Sequence, residues 1–166
     1  MTLRIRPAQP ADVEAIVALV QAVLTEFKIT FGQGAETDAQ LFELPGSYTN
    51  HGGAFFIAED AAGRLVGTAG VFPTGPGLFE LRKMYLLPAT RGTGAGQQLF
   101  DVCLDFVRAH EGTTMALDTT EQMTAAIRFY ERNGFVRDDT QRRASRCSRG
   151  YRLDVVPRQA PPQSLH

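Results

Sequence analysis

Apolar residues recur along the chain at two spacings, and these spacings predict both helices and strands. Residues 11–27 and 97–108 carry apolar side chains three and four positions apart, the pattern of helices that pack one face on a core. Three apolar runs of strand length, separated by turn residues, cover residues 54–59, 64–72 and 78–87. The three runs predict an antiparallel meander that leads into the second helix.

The remaining predicted elements are shorter: strands over residues 3–6, 113–118, 135–136 and 151–155, and a helix over residues 124–132. A strand, a glycine-rich turn, a helix and a strand follow one another from residue 78 to residue 118, so the strands at 78–87 and 113–118 should be parallel. The pattern predicts one α/β domain of the α+β type over residues 1–156. Residues 157–166 contain three prolines and are expected to form a disordered tail.

The composition narrows the possible partners. The 166 residues are 43% hydrophobic and carry a net charge of −1, so no overall field favours nucleic acid or an anionic membrane. No apolar run approaches the ~20 residues of a membrane-spanning helix, and the N-terminus lacks a signal-peptide core. Cys103 and Cys147 are far apart and indicate neither a disulfide framework nor a zinc site. We therefore expect a cytoplasmic protein without a metal, nucleic-acid or membrane partner.

The most informative stretch is the turn Arg91-Gly92-Thr93-Gly94-Ala95-Gly96, which joins the third meander strand to the second helix. The first amides of a helix have no partner within it and carry the positive end of its dipole. Glycines let a bulky anion approach those amides closely. The turn therefore predicts a site for a phosphate or pyrophosphate group.

Two common nucleotide-binding motifs do not match this turn. Gly92, Gly94 and Gly96 lack the spacing of the dinucleotide motif G-x-G-x-x-G, which belongs to folds of alternating parallel strands. No lysine follows Gly96, as a Walker loop would require. A purely structural turn needs one glycine, not three beside an arginine. Anion binding is the favoured interpretation.

Three motifs in this order resemble the GNAT superfamily of N-acetyltransferases. Arg91–Gly96 matches its acetyl-CoA signature [QR]-x-x-G-x-[GA], and Glu80–Pro88 resembles the strand before that signature. Thr124–Phe135 resembles its A-x-x-[FL]-Y-x-x-x-G-F segment. The resemblance implies the GNAT fold, a mixed and mostly antiparallel sheet of six or seven strands flanked by about four helices, with the fourth and fifth strands splayed apart.

The resemblance also implies acetyl-CoA as the co-substrate, held along the glycine turn. The amides of the turn would bind the pyrophosphate, and the peptide-like pantetheine arm would pair with the free edge of the preceding strand. The N–H of Leu86 on that edge would polarise the thioester carbonyl. The implied cofactor-binding residues are Met84, Tyr85, Leu86, Arg91, Gly92, Thr93, Gly94, Ala95 and Gly96.

Acyl transfer to an amine requires a base for the amine proton and an acid for the leaving thiolate. Tyr130 occupies the position of the family's general acid, and the alternative for it is a core aromatic residue. Glu80 is the candidate base, on the strand before the turn, and its alternative is an ion pair with a cation on the same strand. Glu59 and His51 are competing candidates for the base.

One position departs from the family pattern. Where many members carry an Asn that helps to hold the cofactor, this chain has Met123. A polar contact would then have to come from one of the neighbouring residues Thr119, Thr120 or Gln122. Arg132 is a candidate for contact with the 3′-phosphate of CoA.

The acceptor side is defined less sharply. The aromatic segment 27–53, with a short helix over 38–44, suits a pocket lid and also an irregular cap on the core, which is favoured. Five arginines lie between residues 142 and 152. A solvated loop is the favoured interpretation of these arginines, and a site for a substrate carboxylate or the CoA 3′-phosphate is the alternative.

The leading hypothesis is an acetyl-CoA-dependent N-acetyltransferase that transfers the acetyl group directly to a primary amine of a small-molecule or amino-acid-like acceptor. A homodimer is one candidate assembly. The alternatives are a catalytically silent acyl-CoA-binding sensor and an acetyltransferase of protein N-termini or lysines. Tyr130 and Glu80 favour the enzyme, whereas Met123 leaves room for the sensor. A closed acceptor pocket would count against a protein substrate.

Overall fold

The computed structural model describes residues 2–157, which form one mixed sheet flanked by helices. The strands are β1 (Arg4–Pro7), β2 (Ala54–Glu59), β3 (Leu65–Gly75), β4 (Leu78–Leu86), β5 (Thr114–Thr119), β6 (Val136–Arg137) and β7 (Arg149–Asp154). Their order across the sheet is β1-β2-β3-β4-β5-β7-β6. Among the strands of residues 2–157, only β4 and β5 pair in parallel, as the crossover between them predicts.

The α-helices are α1 (Val13–Glu26), α2 (Gly46–Thr49), α3 (Ala95–Ala109) and α4 (Thr124–Arg132). Short 3-10 helices cover Pro10–Asp12, Glu36–Glu43, Pro88–Thr90 and Asp139–Gln141. Within residues 2–157 no helix combines the length and the apolar character needed to cross a membrane. The mixed sheet of seven strands with four α-helices confirms the predicted fold.

Two hydrophobic clusters cover the two faces of the sheet, because successive strand side chains point to opposite sides. On β2, Phe55 and Ile57 pack in the cluster that contains α1, while Ala58 packs in the cluster that contains α3. Cys103 of α3 is fully buried in the second cluster, as its place on the apolar side of the helix predicts. Full burial of a large apolar side chain contributes about 1.5–3 kcal/mol, so these clusters hold the sheet rigidly between its helices.

The two parallel strands separate along their length. Leu78–Glu80 of β4 pair with Thr114–Ala116 of β5, and no pairing between them continues beyond these residues. β4 contains a bulge relative to β3 at Lys83, whose φ of 53° is uncommon for a residue other than glycine. Thr68 Oγ1 donates a 2.6 Å hydrogen bond to the Lys83 carbonyl at this bulge. The end of β4 therefore leaves β5 and opens a gap in the sheet.

Several element boundaries differ from the sequence prediction. β3 continues through Pro73 to Gly75, although the sequence placed a turn from residue 73. Pro73 is accommodated opposite Phe79, next to an irregularity in the β3–β4 register. α3 begins at Ala95, two residues before the predicted start, because the glycine turn itself forms the first helical turn. Residues 158–166 of the predicted tail lie outside the described residues.

Candidate active site

Two cavities meet at the gap between β4 and β5. The larger, with a volume of about 450 Å³, lies between the end of α1, the end of β4, the glycine turn and α4. The smaller, with a volume of about 60 Å³, lies beside β5 and the loop that precedes β7. Four residues line both cavities: Met84, Tyr85, Met123 and Tyr130. A molecule in the larger cavity can therefore meet a molecule in the smaller one at these side chains.

The glycine turn presents open backbone to the larger cavity. Gly92 and Gly94 have φ angles of 75° and 89°, a left-handed backbone conformation that glycine adopts readily and other residues rarely adopt. A Cβ atom at either position would meet no atom within 4 Å, so the space in front of the turn is free. Among residues 2–157, no backbone acceptor pairs with the N–H groups of residues 92–97. The turn thus offers a row of free donors at the N-terminus of a 15-residue helix.

Arg91 holds this turn in place. Its Nη1 and Nη2 donate to the Glu26 carboxylate at the end of α1, over 2.5 and 3.0 Å, and Nη2 also donates to the Leu86 carbonyl over 3.1 Å. The guanidinium lies 5.8 Å from the ring centre of Phe27. Arg91 therefore ties the turn to both α1 and β4.

Seven of the nine predicted cofactor-binding residues line the larger cavity: Met84, Tyr85, Leu86, Arg91, Gly92, Gly94 and Gly96. Thr93 and Ala95 do not. The Thr93 hydroxyl donates to the Thr90 carbonyl over 2.5 Å, and the Ala95 side chain is fully buried. Neither side chain lines the larger cavity, so Thr93 and Ala95 could contact a ligand there only with their backbone N–H groups.

The backbone of β4 points donors into the gap. Leu87 N–H donates to the Val66 carbonyl of the strand beside it over 3.0 Å. Because successive residues of an antiparallel strand direct their N–H groups to opposite sides, the N–H of Leu86 faces away from β3 and toward the gap. This orientation is the one expected of a donor to a carbonyl bound between β4 and β5.

Tyr130 is placed by α4 at the meeting point of the cavities. Its ring packs edge-on against Phe129 and Phe135, at centroid distances of 5.8 and 5.7 Å, which fix its direction. Burial, followed by the nearby Tyr85 and Cys147, raises the pKa of the Tyr130 hydroxyl. The hydroxyl therefore keeps its proton at neutral pH.

Glu80 lines the smaller cavity and is 4% exposed. Its Oε1 accepts a 2.6 Å hydrogen bond from Arg82 Nε, which is the ion pair that the sequence raised as the alternative to a base. Its Oε2 lies 3.2 Å from Arg143 Nε but is not aligned for a hydrogen bond, so this buried oxygen has no hydrogen-bond partner. Glu80 Oε1 is thus hydrogen-bonded to Arg82, whereas Oε2 has only an ion-pair contact with the half-exposed Arg143.

The competing bases lie elsewhere. Glu59 is on β2, which β3 separates from β4, and it forms an ion pair with Arg6. His51 packs against Phe72 at 5.4 Å between ring centres and lines neither cavity. Glu59 therefore lies two strands away from Glu80 and outside both cavities, on a strand that is not adjacent to β4.

A buried ion cluster that the sequence did not reveal lies in the wall of the smaller cavity. Asp38 forms ion pairs with Lys83 Nζ and with Arg146, whose Nη1 and Nη2 lie 2.7 and 3.1 Å from its carboxylate oxygens. The Gly32 N–H also donates to Asp38 Oδ2 over 2.7 Å. Although burial acts to raise the pKa of Asp38, its two cations and Gly32 hold that pKa below its ordinary value. We call Asp38, Lys83 and Arg146 the Asp38 cluster.

The Asp38 cluster changes the picture of two segments. Arg146 is enclosed in the cluster, so the solvated-loop interpretation was wrong for this arginine, whereas the exposed Arg142 and Arg143 fit it. The segment 27–53 caps the core through Tyr48, which is fully buried, and contributes Ile29, Ala35 and Thr37 to the smaller cavity. It acts both as a cap and as cavity wall.

Other polar residues near Met123 lie on the acceptor side. Thr119 and Thr120 line the smaller cavity and not the larger one, and Gln122 lines neither. Thr119 Oγ1 lies 3.8 Å from the Met123 sulfur, and Thr120 Oγ1 is buried without a hydrogen-bond partner. The sequence predicts that one of these residues contacts the cofactor. The two threonines instead line the smaller cavity, away from the glycine turn.

Cys147 also lines the smaller cavity. Burial, and then the charge of Asp118, raise the pKa of its thiol to about 12. The thiol is thus neutral near pH 7, and a neutral thiol is a poor nucleophile. Within residues 2–157 no group of three or more acidic, histidine or cysteine side chains could hold a metal ion.

Comparison with known proteins gives one consistent result. A family model described as "Acetyltransferase (GNAT) family" matches residues 17–135. The chain is 34% identical over 128 residues to the uncharacterized N-acetyltransferase YjgM of Escherichia coli (strain K12). The aligned region covers 75% of this chain and 76% of that protein.

Solved structures share the fold at lower sequence identity. An acetyltransferase of the GNAT family from Staphylococcus aureus Mu50 gives a TM-score of 0.86 at 21% identity, over 93% of this chain and 100% of that chain. YncA from Salmonella typhimurium, solved with its cofactor acetyl-CoA, gives a TM-score of 0.69 at 23% identity, over 99% of this chain and 100% of that chain.

Proposed function

The chain belongs to the acetyltransferase (GNAT) family, and from that premise we propose that it transfers an acetyl group from acetyl-CoA directly to a primary amine of a small molecule. The observation that carries this proposal is the meeting of two cavities at Tyr130. One cavity ends in a row of free amides suited to a pyrophosphate, and the other is small and lined by charged side chains. An acyl donor and an amine acceptor require such a pair of sites.

The larger cavity suits acetyl-CoA by its chemistry as well as its size. Its free amides at residues 92–97 provide donors for a pyrophosphate, and nothing obstructs the approach to Gly92 and Gly94. The outward N–H of Leu86 is available to a peptide-like arm along β4. Arg132 lines the same cavity and offers a cation for a further phosphate. The fold relative YncA was solved with acetyl-CoA, which agrees with this assignment.

The chain's residues divide the work of transfer among them. Acetyl-CoA supplies an activated thioester. The Leu86 N–H stabilises negative charge that develops on the carbonyl oxygen. Glu80 takes the amine proton on Oε2, the oxygen without a hydrogen-bond partner, directly or through a water molecule, as the new C–N bond forms. Tyr130 donates its hydroxyl proton to the leaving sulfur as the C–S bond breaks.

Direct transfer is favoured over a route through a covalent enzyme intermediate. Cys147 is the cysteine that lines the smaller cavity, but its raised pKa leaves it uncharged near neutral pH. The other cysteine, Cys103, is buried in the core away from both cavities. Without a reactive thiolate, attack by the amine itself is the simpler course.

The size of the smaller cavity supports a small acceptor. A cavity needs roughly 10–15 Å³ for each enclosed water molecule on this measure, so about 60 Å³ holds a few atoms of a ligand. Segment 27–53 and the loop that carries Arg146 line it on two sides. A flexible protein segment would need an open groove at this position.

Acetylation of a panel of primary amines, followed by mass spectrometry of the products and by release of the CoA thiol, tests the proposal. We expect one N-acetyl product for each CoA released. Without an amine, we expect no acetyl group on the protein, and Cys147→Ser should keep the wild-type rate within about threefold. An acetylated Cys147, or acetylation of peptides in preference to small amines, would contradict it.

A further inference from the structure

The wall of the smaller cavity carries an excess of positive charge. The charged side chains that line it or pair with its lining residues are four cations, Arg82, Lys83, Arg143 and Arg146, and three carboxylates, Asp38, Glu80 and Asp118. Arg143 is half-exposed to water, so the buried surplus lies in the Asp38 cluster, where two buried cations, Lys83 and Arg146, share one carboxylate. Because a buried charge without a partner is costly, this excess favours an anionic ligand group.

The excess lies mainly in the Asp38 cluster, where two cations share one carboxylate. The side chains of Lys83 and Arg146 are 4% and 12% exposed, so bulk water compensates them little. Arg146 uses two of its five N–H donors on Asp38, and Lys83 uses one of its three. Both residues line the cavity and keep donors for a ligand.

Two side-chain oxygens in the same wall have no hydrogen-bond partner. Glu80 Oε2 and Thr120 Oγ1 are buried, and neither has a hydrogen-bond partner within the described residues. Both residues line the smaller cavity and are 4% and 6% exposed. Buried polar atoms in native proteins are nearly always paired, so these two oxygens indicate a polar ligand: the Glu80 oxygen can only accept, and the Thr120 hydroxyl can accept or donate. An amine can donate to both oxygens.

Resting on the proposed function, we propose that the acceptor is an α-amino-acid-like molecule, with a carboxylate close to its reacting amine. Arg146 and Lys83 bind the carboxylate. Glu80 Oε2 and Thr120 Oγ1 receive the amine, which Glu80 then deprotonates. A cavity of about 60 Å³ suits an acceptor whose two charged groups lie near one another. Arg146 would therefore determine acceptor specificity, a role separate from cofactor binding by the glycine turn and from proton donation by Tyr130.

The first test uses the wild-type enzyme and matched acceptors. Each of several α-amino acids is compared with its α-amide and with the amine that decarboxylation would give. We expect kcat/KM to be about 10- to 100-fold higher for the acids, because the neutral analogues leave buried donors unpaired. Equal or higher kcat/KM for the neutral analogues would overturn the proposal, and the enzyme would remain an amine acetyltransferase.

A second test removes the guanidinium. Arg146→Gln should reduce the preference for acids over amides to within about threefold, chiefly by raising KM for the acids, and should leave CoA affinity unchanged. Arg142→Gln is the matched control, because Arg142 is exposed on the same loop and lines neither cavity. An unchanged acid-to-amide ratio in a folded Arg146→Gln protein would overturn the assignment of this residue.

These tests distinguish a failure of the proposed acetyltransferase function from a failure of the carboxylate-site assignment. If the protein binds CoA but acetylates none of the acids, amides or amines, the proposed function fails. If it acetylates amines without preferring acids, only the assignment of the carboxylate site fails. If Arg146→Gln does not fold, Thr120→Val offers an independent variant. This substitution removes the Thr120 hydroxyl, which has no hydrogen-bond partner, at nearly constant side-chain volume. It should raise KM for the acids with little change in CoA affinity. An unchanged KM would contradict the amine site.

Discussion

At the scale of single residues, Tyr130 has the features of a general acid that stays protonated. Its ring is fixed between Phe129 and Phe135, and it lines both cavities. Burial raises the pKa of its hydroxyl above the ordinary 10.0. The proton it would donate therefore remains in place over the whole pH range in which free amine becomes available.

This property predicts the pH profile. The amine must be unprotonated to attack the thioester, so kcat/KM should rise as the pH increases. Because the pKa of Tyr130 is raised, its deprotonation should produce no falling limb below about pH 10. The profile is measured with steady-state kinetics, with circular dichroism to verify that the protein stays folded. A falling limb centred near pH 8 in folded protein would contradict this role.

At the scale of elements, the glycine turn and α3 form one unit that depends on open backbone. Gly94 is the N-cap of α3 with a left-handed φ of 89°, and no atom lies within 4 Å of the place of its missing Cβ. Gly96 is different, because a Cβ there would lie 3.3 Å from Leu86. The first position keeps space free for a ligand, and the second lets the helix approach β4.

Substitutions at Gly94 separate these contributions. Gly94→Glu should weaken CoA binding at least about 100-fold, because a carboxylate would occupy the anion site and repel phosphates. Gly94→Ala is the control for backbone strain, which costs on the order of 1–3 kcal/mol for a left-handed residue. Gln98→Glu adds the same charge at an exposed position one turn away. Calorimetric CoA titration measures all three, and an affinity for Gly94→Glu equal to that of the wild type would refute the anion site.

At the scale of the whole molecule, the Asp38 cluster joins three distant parts of the chain. Asp38 comes from the segment before β2, Lys83 from the bulge of β4, and Arg146 from the loop before β7. The pKa of Asp38 is lowered despite its burial, so its ionised form stabilises the fold. This contribution is present above the ordinary pKa of 3.8 and is lost as the pH falls through the lower, folded-state pKa.

Asp38→Asn should therefore reduce the free energy of unfolding by about 3–5 kcal/mol at neutral pH, because it leaves two buried cations uncompensated. Urea denaturation measures this loss. The difference from the wild type should shrink as the pH falls below about 4, where the carboxyl group is protonated in the unfolded chain, and should vanish below the lower pKa of the folded state. Asp154→Asn is the control, because its ion pair with Arg152 is exposed and should contribute less than about 1 kcal/mol. Equal destabilisation by both variants would contradict the structural role of the cluster.

The molecule also shows which features a sequence can reveal. The strands, the helices and the parallel contact of β4 with β5 follow from local periodicity and from the crossover rule. The glycine turn is visible because six consecutive residues carry its chemistry. The Asp38 cluster is not visible, because its partners are 45 and 108 positions from Asp38 and no local pattern links the three residues. The bulge that turns Lys83 inward also leaves no local signal.

The most direct test of the central claim, that acetyl transfer occurs where the two cavities meet, is the turnover of Tyr130→Phe. The substitution removes only the hydroxyl, so kcat should fall about 10²- to 10⁴-fold while CoA affinity stays within about twofold. Tyr151→Phe is the matched control, because Tyr151 is a buried tyrosine that lines neither cavity. If Tyr130→Phe turns over with a kcat within about twofold of the wild type, the acid is not Tyr130 and the account is contradicted.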